Sequence, residues 1–393
     1  MAKKPERQLI VGLDIGTSKV VALVGEIAPD NSIEIIGIGS QPSRGLKRGV
    51  VVNIESTVQS IQRAVEEAEL MAGCEIHSVY AGIAGSHVRS LNSHGVVAIR
   101  DKEVQLADVE HVIDAAKAVA IPADQKILHV LPQEFIIDGQ EGIRDPVGMS
   151  GVRLEAKVHI VTGADSAAQN IEKCIQRCGL DVDDIVLEQL ASSYAVLTED
   201  EKDLGVCIVD IGGGTTEVAV ISLGGIVTAQ SLRVAGDELD EAIMAYLKKE
   251  FSLAIGERTA EEIKIQMGSA WPMEEEMTAD IRGRDLISGL PRTISLSTEQ
   301  VREALAEPVA AIVDVVRTTL DKTPPELAAD IMHAGITLSG GGALLAGIDR
   351  RMAHETGMPI NIAPDPLFSV VIGSGRALEN IEAMGGLLAD SAG

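Results

Sequence analysis

The stretch CIVDIGGGTTEVAVI, residues 207–221, decides the fold, because it sets three glycines and two threonines between two apolar runs. Residues 10–24, IVGLDIGTSKVVALV, repeat this pattern near the start of the chain. Short β-branched runs on both sides of a glycine turn predict a strand, a tight turn and a second strand. The sequence therefore predicts the same hairpin twice, once around Asp14 and once around Asp210.

The chemistry of the two hairpins points to a phosphate ligand. Glycine lets a backbone approach a ligand closely, and successive backbone N–H groups form a nest for anionic oxygens. Hydroxyl groups at both turns would add donors, at Thr17, Ser18, Thr215 and Thr216. Asp14 and Asp210 are acceptors only, so they are better suited to hold the waters of a Mg²⁺ ion that bridges phosphates. A single turn of this kind could be an ordinary hairpin, but two copies indicate a clamp that holds one triphosphate from both sides.

A third glycine segment, ITLSGGGALLAGI at residues 336–348, predicts a strand that runs through a turn into a helix. A helix N-terminus with closely approaching backbone suits a nucleotide. Competing nucleotide and hydrolase motifs are absent from the sequence, which has no Gly-Lys dipeptide of a P-loop, no G-x-S-x-G and no H-E-x-x-H. The three glycine segments together predict a nucleotide-binding protein.

Composition narrows the class of protein. With 393 residues the chain is long enough for two or three domains. Only seven residues are aromatic (one Trp, three Tyr, three Phe), so aliphatic side chains must build the core, as in layered α/β folds. A net charge of −26 argues against nucleic acid as a partner. Four cysteines, among them Cys174 and Cys178 on one predicted helix face, indicate a reduced, cytoplasmic protein without a metal cluster.

Strand-like and helical runs alternate along the chain, and the alternation divides it. We predict a first α/β half at 1–85 and 162–204, interrupted by an inserted subdomain at 86–161. A second half at 205–393 carries a smaller subdomain at about 250–300. Ser297 is a predicted N-cap for a long helix that follows it. Without a low-complexity linker, the halves are expected to pack around a shared cleft.

These features resemble the ATPase fold of the actin, Hsp70 and sugar-kinase superfamily, and the resemblance divides in two. Residues 1 to about 205 resemble the bacterial division protein FtsA, through GLDIGTSKVVALVGEI, LPQEFIIDGQEGIRDPVGMSGVRLEAKVHIVTG and ASSYAVLTEDEKDLGVCIVDIGGGT. From about residue 212 the chain resembles MreB, the actin-like protein of bacterial cell shape, through GDELDEAI, IGERTAEEIKIQMGSA and LSGGGALLAGIDRRMAHETGMPI. The pattern is that of a hybrid whose crossover lies in the shared hairpin.

The resemblance implies roles for particular residues toward ATP and Mg²⁺. The first phosphate turn would be Gly16, Thr17 and Ser18, with Lys19 either reaching phosphate or pointing outward, and the second Gly212, Gly213 and Gly214. Ribose and adenine would meet Glu261 and Lys264, otherwise a solvated helix face, and on the other side Gly340, Gly341, Gly342 and Ala343. Glu188 would orient the attacking water with help from Thr215 or Thr216. Here the chain has Glu-Gln where MreB has Glu-Pro, so Glu188 could equally be a helix-start acid.

The implied function is that of an ATP-binding bacterial actin homologue. It would assemble head-to-tail with itself into filaments and act as a scaffold in cell division or cell shape, with slow Mg²⁺-dependent hydrolysis. Alternatives are a non-hydrolysing adaptor of the division machinery and a sugar kinase, although no segment resembles a sugar pocket. A chaperone of the Hsp70 type would need a long segment after the ATPase fold.

Two departures from FtsA affect the expected partners. The segment after Arg376, ALENIEAMGGLLADSAG, lacks the basic amphipathic helix with which FtsA lies on a membrane, and MAKKPERQ at the start is short and without apolar anchors. We therefore expect no direct membrane binding, but a cytoplasmic protein recruited to the inner face of the membrane through partners. The MreB-like second half argues against FtsZ as a partner and makes a RodZ-type partner conceivable.

Overall fold

The structure is a computed structural model, and it describes residues 9–28, 33–198, 201, 205–222, 225–369 and 373. In chain order the strands are β1 Leu9–Ile15, β2 Lys19–Ile27, β3 Ile33–Pro42, β4 Leu46–Lys47, β5 Val50–Val51, β6 Ser78–Ile83, β7 Arg89–Ala98, β8 Gln125–Ile137, β9 Gln140–Ile143, β10 Arg153–Ala164, β11 Asp181–Leu187, β12 Val206–Ile211, β13 Thr216–Ser222, β14 Gly225–Leu232, β15 Leu253–Ala254, β16 Thr278–Asp285, β17 Pro291–Ser297, β18 Ile336–Ser339 and β19 Ile360–Ile362.

The helices lie between these strands. They are α1 Ile54–Ala72, α2 Leu106–Lys117, α3 Asp165–Gln176, α4 Glu188–Val196, α5 Gly236–Phe251, α6 Glu257–Met267, α7 Thr298–Asp321, α8 Pro325–Ala334 and α9 Ile348–Thr356. Local sequence explains several of their ends. Asn53 caps α1 by accepting from the Ser56 amide, and Gly73 ends it in the left-handed conformation. Ser297 caps α7 as predicted, since its Oγ accepts from the Gln300 amide.

Two sheets of the same design form the body of the molecule. One has the strand order β11-β6-β1-β2-β3, and the other β19-β18-β12-β13-β14. In each, an antiparallel hairpin with a third antiparallel strand is extended by parallel strands on the other side of the hairpin. This equivalence confirms the predicted fold of two related α/β halves. The two hairpins therefore occupy matching places in their sheets.

The inserted subdomain is a separate layer built on the first half. Its sheet has the order β7-β10-β8-β9, and α2 packs over it. Buried aliphatic residues such as Val112, Ala116, Leu154 and Val158 give it a core of its own. In the second half, β15, β16 and β17 form a small sheet of their own, which lies beside α5.

The segment after β18 differs in detail from the predicted strand, turn and helix. Gly341–Leu344 forms a short 3-10 helix, and α9 begins only at Ile348, after Gly347 in the left-handed conformation. A run of three glycines favours this tight, irregular turn over an α-helical start. The two terminal segments singled out above, residues 1–8 and 377–393, lie outside the described residues.

Candidate functional site

The glycine turns of the two hairpins meet tip to tip. The first turn joins β1 to β2, and the second joins β12 to β13. A Cβ atom added to Gly213 would overlap Ser18 Oγ, and one added to Gly214 would lie 2.6 Å from Thr17 Oγ1. Since glycine alone lacks a Cβ, the second turn owes its composition to this close approach.

The third glycine segment packs against the end of β12. Gly340 has φ +80°, and a Cβ atom there would lie 2.6 Å from Asp210 Oδ1. Its amide donates to the Pro366 carbonyl at 2.8 Å. All three predicted glycine segments therefore converge on one place, where β1, β12 and β18 end.

Two aspartates lie at this convergence, one from each hairpin. Burial raises the pKa of Asp14 to about 7, with Asp210 adding to the shift and Lys19 opposing it. Burial also raises the pKa of Asp210, although the hydroxyls of Ser192 and Ser339 donate to its Oδ2 at 3.1 and 2.8 Å and favour the charged form. The two carboxyl groups thus interact across the junction of the halves.

Glu188 joins the aspartates as the first residue of α4. Burial raises its pKa well above the ordinary value, and Asp14, Asp210 and Glu217 add to the shift. Carboxylates that repel one another at a poorly solvated place are stabilised by a cation. Within the described residues, no three His, Cys, Asp or Glu side chains are close enough to hold a metal ion by themselves. The arrangement therefore suits a hydrated Mg²⁺ whose remaining ligands are waters and phosphate oxygens.

Lys19 lies at the same place and contacts the second half. Its Nζ donates to the Leu367 carbonyl and lies 4.3 Å from the centre of the Phe368 ring. Burial lowers its pKa, while Asp14 and Asp210 oppose that shift. The Lys19 ammonium group is thus held by Leu367 and Phe368 of the second half and interacts electrostatically with both aspartates.

Comparison with known proteins identifies the family. The family model described as MreB/Mbl protein matches residues 161–386, and the SHS2 domain inserted in FtsA matches residues 85–162. The cell division protein FtsA of Pseudomonas aeruginosa is 53% identical over 366 residues, which cover 92% of this chain and 84% of that protein. The chain belongs to the FtsA family.

The FtsA likeness continues through both halves of the chain. FtsA of Neisseria meningitidis is 47% identical and covers 87% of this chain and 80% of its own length. FtsA of Escherichia coli is 40% identical, and the match covers 95% of this chain and 91% of that protein. Both predicted resemblances are confirmed, but they overlap. The similarity to FtsA extends past residue 205, and the match to the MreB/Mbl model begins before residue 212.

Solved structures share the fold. MreB5 of Spiroplasma citri bound to ADP has a TM-score of 0.65 at 24% identity, covering 96% of this chain and 99% of that one. The MamK double helical filament has a TM-score of 0.59 at 17% identity, and the match covers 94% of this chain and 98% of the MamK chain. The FtsA-family chain therefore has the actin-like architecture. Among its described residues, no helix is long and apolar enough to cross a membrane.

The two threonines predicted beside Glu188 have different surroundings. Thr215 hydrogen-bonds to Glu217 at the convergence. Thr216 is fully buried, and its Oγ1 donates to the Val234 carbonyl at 2.7 Å. The Thr216 hydroxyl is therefore engaged by a backbone carbonyl of the segment that follows β14.

Of the two predicted nucleoside residues on α6, Lys264 is linked to the second turn. Lys264 Nζ donates to Asp240 Oδ2 at 2.9 Å and to the Gly236 carbonyl at 3.1 Å. The amides of Gly236 and Asp237, at the start of α5, donate to Gly212 and Gly213 carbonyls at 3.1 and 2.7 Å. Lys264 is thus tied to the second turn through α5. Glu261, three residues earlier on α6, is exposed.

Glu217 is a site residue that the sequence analysis missed. Its Oε1 accepts from the Gly85 amide at 3.1 Å and from Ser231 Oγ at 2.8 Å, and its Oε2 accepts from Gln189 Nε2 at 2.5 Å. Burial raises its pKa to about 7. A glutamate inside the apolar run TTEVAVI was the signal, since a charged residue on a buried strand needs partners.

Arg48 was also missed. It lies on the turn between β4 and β5, and its guanidinium pairs with Glu238 on α5 and approaches Glu241 at 3.7 Å. The neighbouring Gly49 amide donates to Thr17 Oγ1 at 3.0 Å. This turn therefore links the first glycine turn to the second half. No local pattern indicates such a contact.

Proposed function

We propose that this FtsA-family chain binds ATP with Mg²⁺ between its two hairpin turns. The observation that carries the proposal is the convergence of three glycine segments on Asp14, Asp210, Glu188 and Lys19. Backbone N–H groups of glycine turns bind phosphate oxygens, and the aspartates suit the waters of a Mg²⁺ ion. Solved neighbours support the nucleotide, since MreB5 of Spiroplasma citri is described as bound to ADP in one structure and to AMPPNP in another.

The nucleoside would lie between α6 and the third glycine segment. Lys264 and Glu261 would contact it on the α6 side, and the segment from Gly340 to Ala343 on the other. Support for this placement comes from the hydrogen bonds that tie Lys264 through Gly236 to the second turn. Gly340 packs on Asp210 from the opposite direction.

We assign slow hydrolysis to Glu188, with Thr215 assisting. Attack on a γ-phosphate needs a positioned water more than a strong base, and Mg²⁺ neutralises the charge that develops. Glu188 interacts electrostatically with both aspartates, and Thr215 directly follows Gly214 of the second turn. Thr216 has no part in this scheme, because its hydroxyl is bonded to Val234.

In the cell, the chain would act as a self-assembling scaffold of cell division. Family membership supports the division role, and a fold neighbour described as a double helical filament supports head-to-tail assembly. FtsZ becomes the better partner candidate, because FtsA relatives match the second half as well as the first. A RodZ-type partner has only the MreB/Mbl match in its favour. Partners would recruit the protein to the inner face of the membrane.

A non-hydrolysing adaptor is the second candidate function, and one observation favours it. The raised pKa of Glu188 means that its carboxyl group holds a proton to higher pH than usual. A protonated carboxyl is poorly suited to accept a proton from water. In that case ATP would fix the conformation of the scaffold without being consumed.

Sedimentation and phosphate release, measured on the same samples, distinguish the two candidates. The wild type and Glu188→Gln are compared with ATP, ADP and no nucleotide, with Glu299→Gln on the exposed start of α7 as the matched control. Nucleotide-dependent sedimentation with phosphate release that only Glu188→Gln abolishes supports the hydrolysing scaffold. Sedimentation without phosphate release in the wild type supports the adaptor. Failure to sediment under every condition and concentration contradicts self-assembly.

A further inference from the structure

A buried histidine of the inserted subdomain contacts the segment that carries Glu188. His129 lies on β8 and is fully buried. Its Nε2 accepts a hydrogen bond from the Leu187 amide at 3.1 Å. A backbone amide can only donate, so Nε2 is the unprotonated nitrogen and the imidazole is neutral with its proton on Nδ1. Burial favours the same neutral form, since it lowers the pKa of His129 to about 4.

Leu187 is the last residue of β11 and directly precedes Glu188. The orientation of the Leu187 amide therefore affects where the first turn of α4 begins. On the other side, Gln189 Nε2 donates to Glu217 Oε2 of the second half at 2.5 Å. Glu188 is thus flanked by one contact to the inserted subdomain and one to the second half.

Apolar packing also joins the inserted subdomain to the start of α4. Leu131, which shares a strand face with His129, belongs to one buried cluster with Leu187 and Leu190. Strand β8 also reaches the second half, because Gln133 Nε2 donates to the Ile226 carbonyl at 3.1 Å. A displacement of β8 would therefore be transmitted to the start of α4.

We propose that His129 is a positioning residue, which holds the start of α4 through the Leu187 amide and so sets the position of the Glu188 carboxyl group. The inference rests on the proposed function, in which Glu188 orients the attacking water. It assigns the inserted subdomain a part in hydrolysis, since that subdomain supplies the acceptor. His129 acts through Leu187 and Glu188, and nucleotide affinity is set by the glycine turns.

The test compares variants that keep or remove the acceptor. His129→Gln can place Oε1 near the position of Nε2, whereas His129→Leu fills the volume without an acceptor. His129→Asn keeps a polar side chain, but one too short to reach the Leu187 amide. It replaces His129→Leu as the variant without an acceptor if His129→Leu does not fold. We measure single-turnover phosphate release at saturating Mg²⁺ and ATP, ATP affinity, and amide hydrogen exchange at the start of α4.

The expected result is a separation of binding from rate. His129→Leu and His129→Asn should release phosphate between about tenfold and a hundredfold more slowly, the scale of a misplaced catalytic group. Their ATP affinity should stay within about twofold of wild type, because only the position of a flanking group has changed. Exchange at the start of α4 should become faster, and His129→Gln should restore both the rate and the protection from exchange.

Other outcomes overturn the inference, and Glu188→Gln tells which claim has failed. A wild-type rate in both His129→Leu and His129→Asn, together with a slow Glu188→Gln, overturns the role of His129 alone. A rate in His129→Gln as slow as in His129→Leu also overturns it, since the acceptor would then be irrelevant. Unchanged phosphate release in Glu188→Gln, or none in the wild type, removes the hydrolytic role of Glu188 and the inference with it.

Discussion

Asp14 should destabilise the folded chain at neutral pH when no cation or nucleotide is present. Its pKa rises from 3.8 to about 7 on folding, chiefly because of burial. The folded state therefore binds a proton that the unfolded state has lost, and the free energy of unfolding falls as pH rises from about 4 to 7. Replacing Asp14 with Asn removes the charge but keeps the shape.

The size of the effect follows from the shift. Each pKa unit corresponds to about 1.36 kcal/mol. The charge of Asp14 therefore lowers the free energy of unfolding by about 4 kcal/mol above pH 7 and by about 1.5 kcal/mol at pH 5. Asp14→Asn should therefore raise the free energy of unfolding by more at pH 8 than at pH 5. The same variant should bind Mg²⁺ and ATP more weakly, because the carboxylate is lost.

Urea unfolding provides the assay, with the fluorescence of Trp271, the single tryptophan of the chain, as the probe. Wild type and Asp14→Asn are measured at pH 5 and pH 8 in chelator, with Asp181→Asn at an exposed position as the control. A stabilisation that is equal at the two pH values, or a destabilisation at pH 8, would refute the reasoning. Unchanged Mg²⁺-dependent ATP affinity would refute the functional part separately.

Three further changes test single contacts of the site. Gly213→Ala should destabilise the fold by about 1–3 kcal/mol, because the added Cβ overlaps Ser18. Thermal melting checks this, with Gly256→Ala as the control, since a Cβ there meets nothing within 4 Å. Equal melting temperatures of the two variants would contradict the prediction. Lys19→Met keeps the packing on Phe368 but loses the cation, so titration with a fluorescent ATP analogue should show about tenfold weaker binding. Thr216→Val should lower stability by about 1 kcal/mol without slowing phosphate release, and a slower rate would restore Thr216 to the hydrolytic scheme.

The sequence predicted those parts of the fold that local patterns encode. The two hairpins and the cap at Ser297 each depend on neighbouring residues, and the structure has them. Period-two alternation also separates Thr215 from Thr216, so their different surroundings could have been expected. The irregular turn at Gly341–Leu344 depends on packing against β12 and could not.

The contacts between the two halves, and those with the inserted subdomain, were not predictable, because they join residues far apart in the chain. Arg48 and Glu238 are 190 residues apart, Gly85 and Glu217 are 132 apart, and His129 and Leu187 are 58 apart. From the sequence alone, these side chains would be interpreted as a surface arginine, a glutamate on a strand and a histidine of the core. Only the packing of the two halves and the inserted subdomain brings the partners together.

The central claim is that the two hairpin turns hold one nucleotide with Mg²⁺. Isothermal titration of ATP into the wild type and into Asp210→Asn, each with Mg²⁺ and with chelator, tests it most directly. We expect one saturable site per wild-type chain, with affinity that falls at least about tenfold in chelator and in Asp210→Asn, since both remove the ion that bridges Asp210 to phosphate. No saturable binding to the wild type, or affinity that is unchanged by chelator and by Asp210→Asn, would contradict the claim.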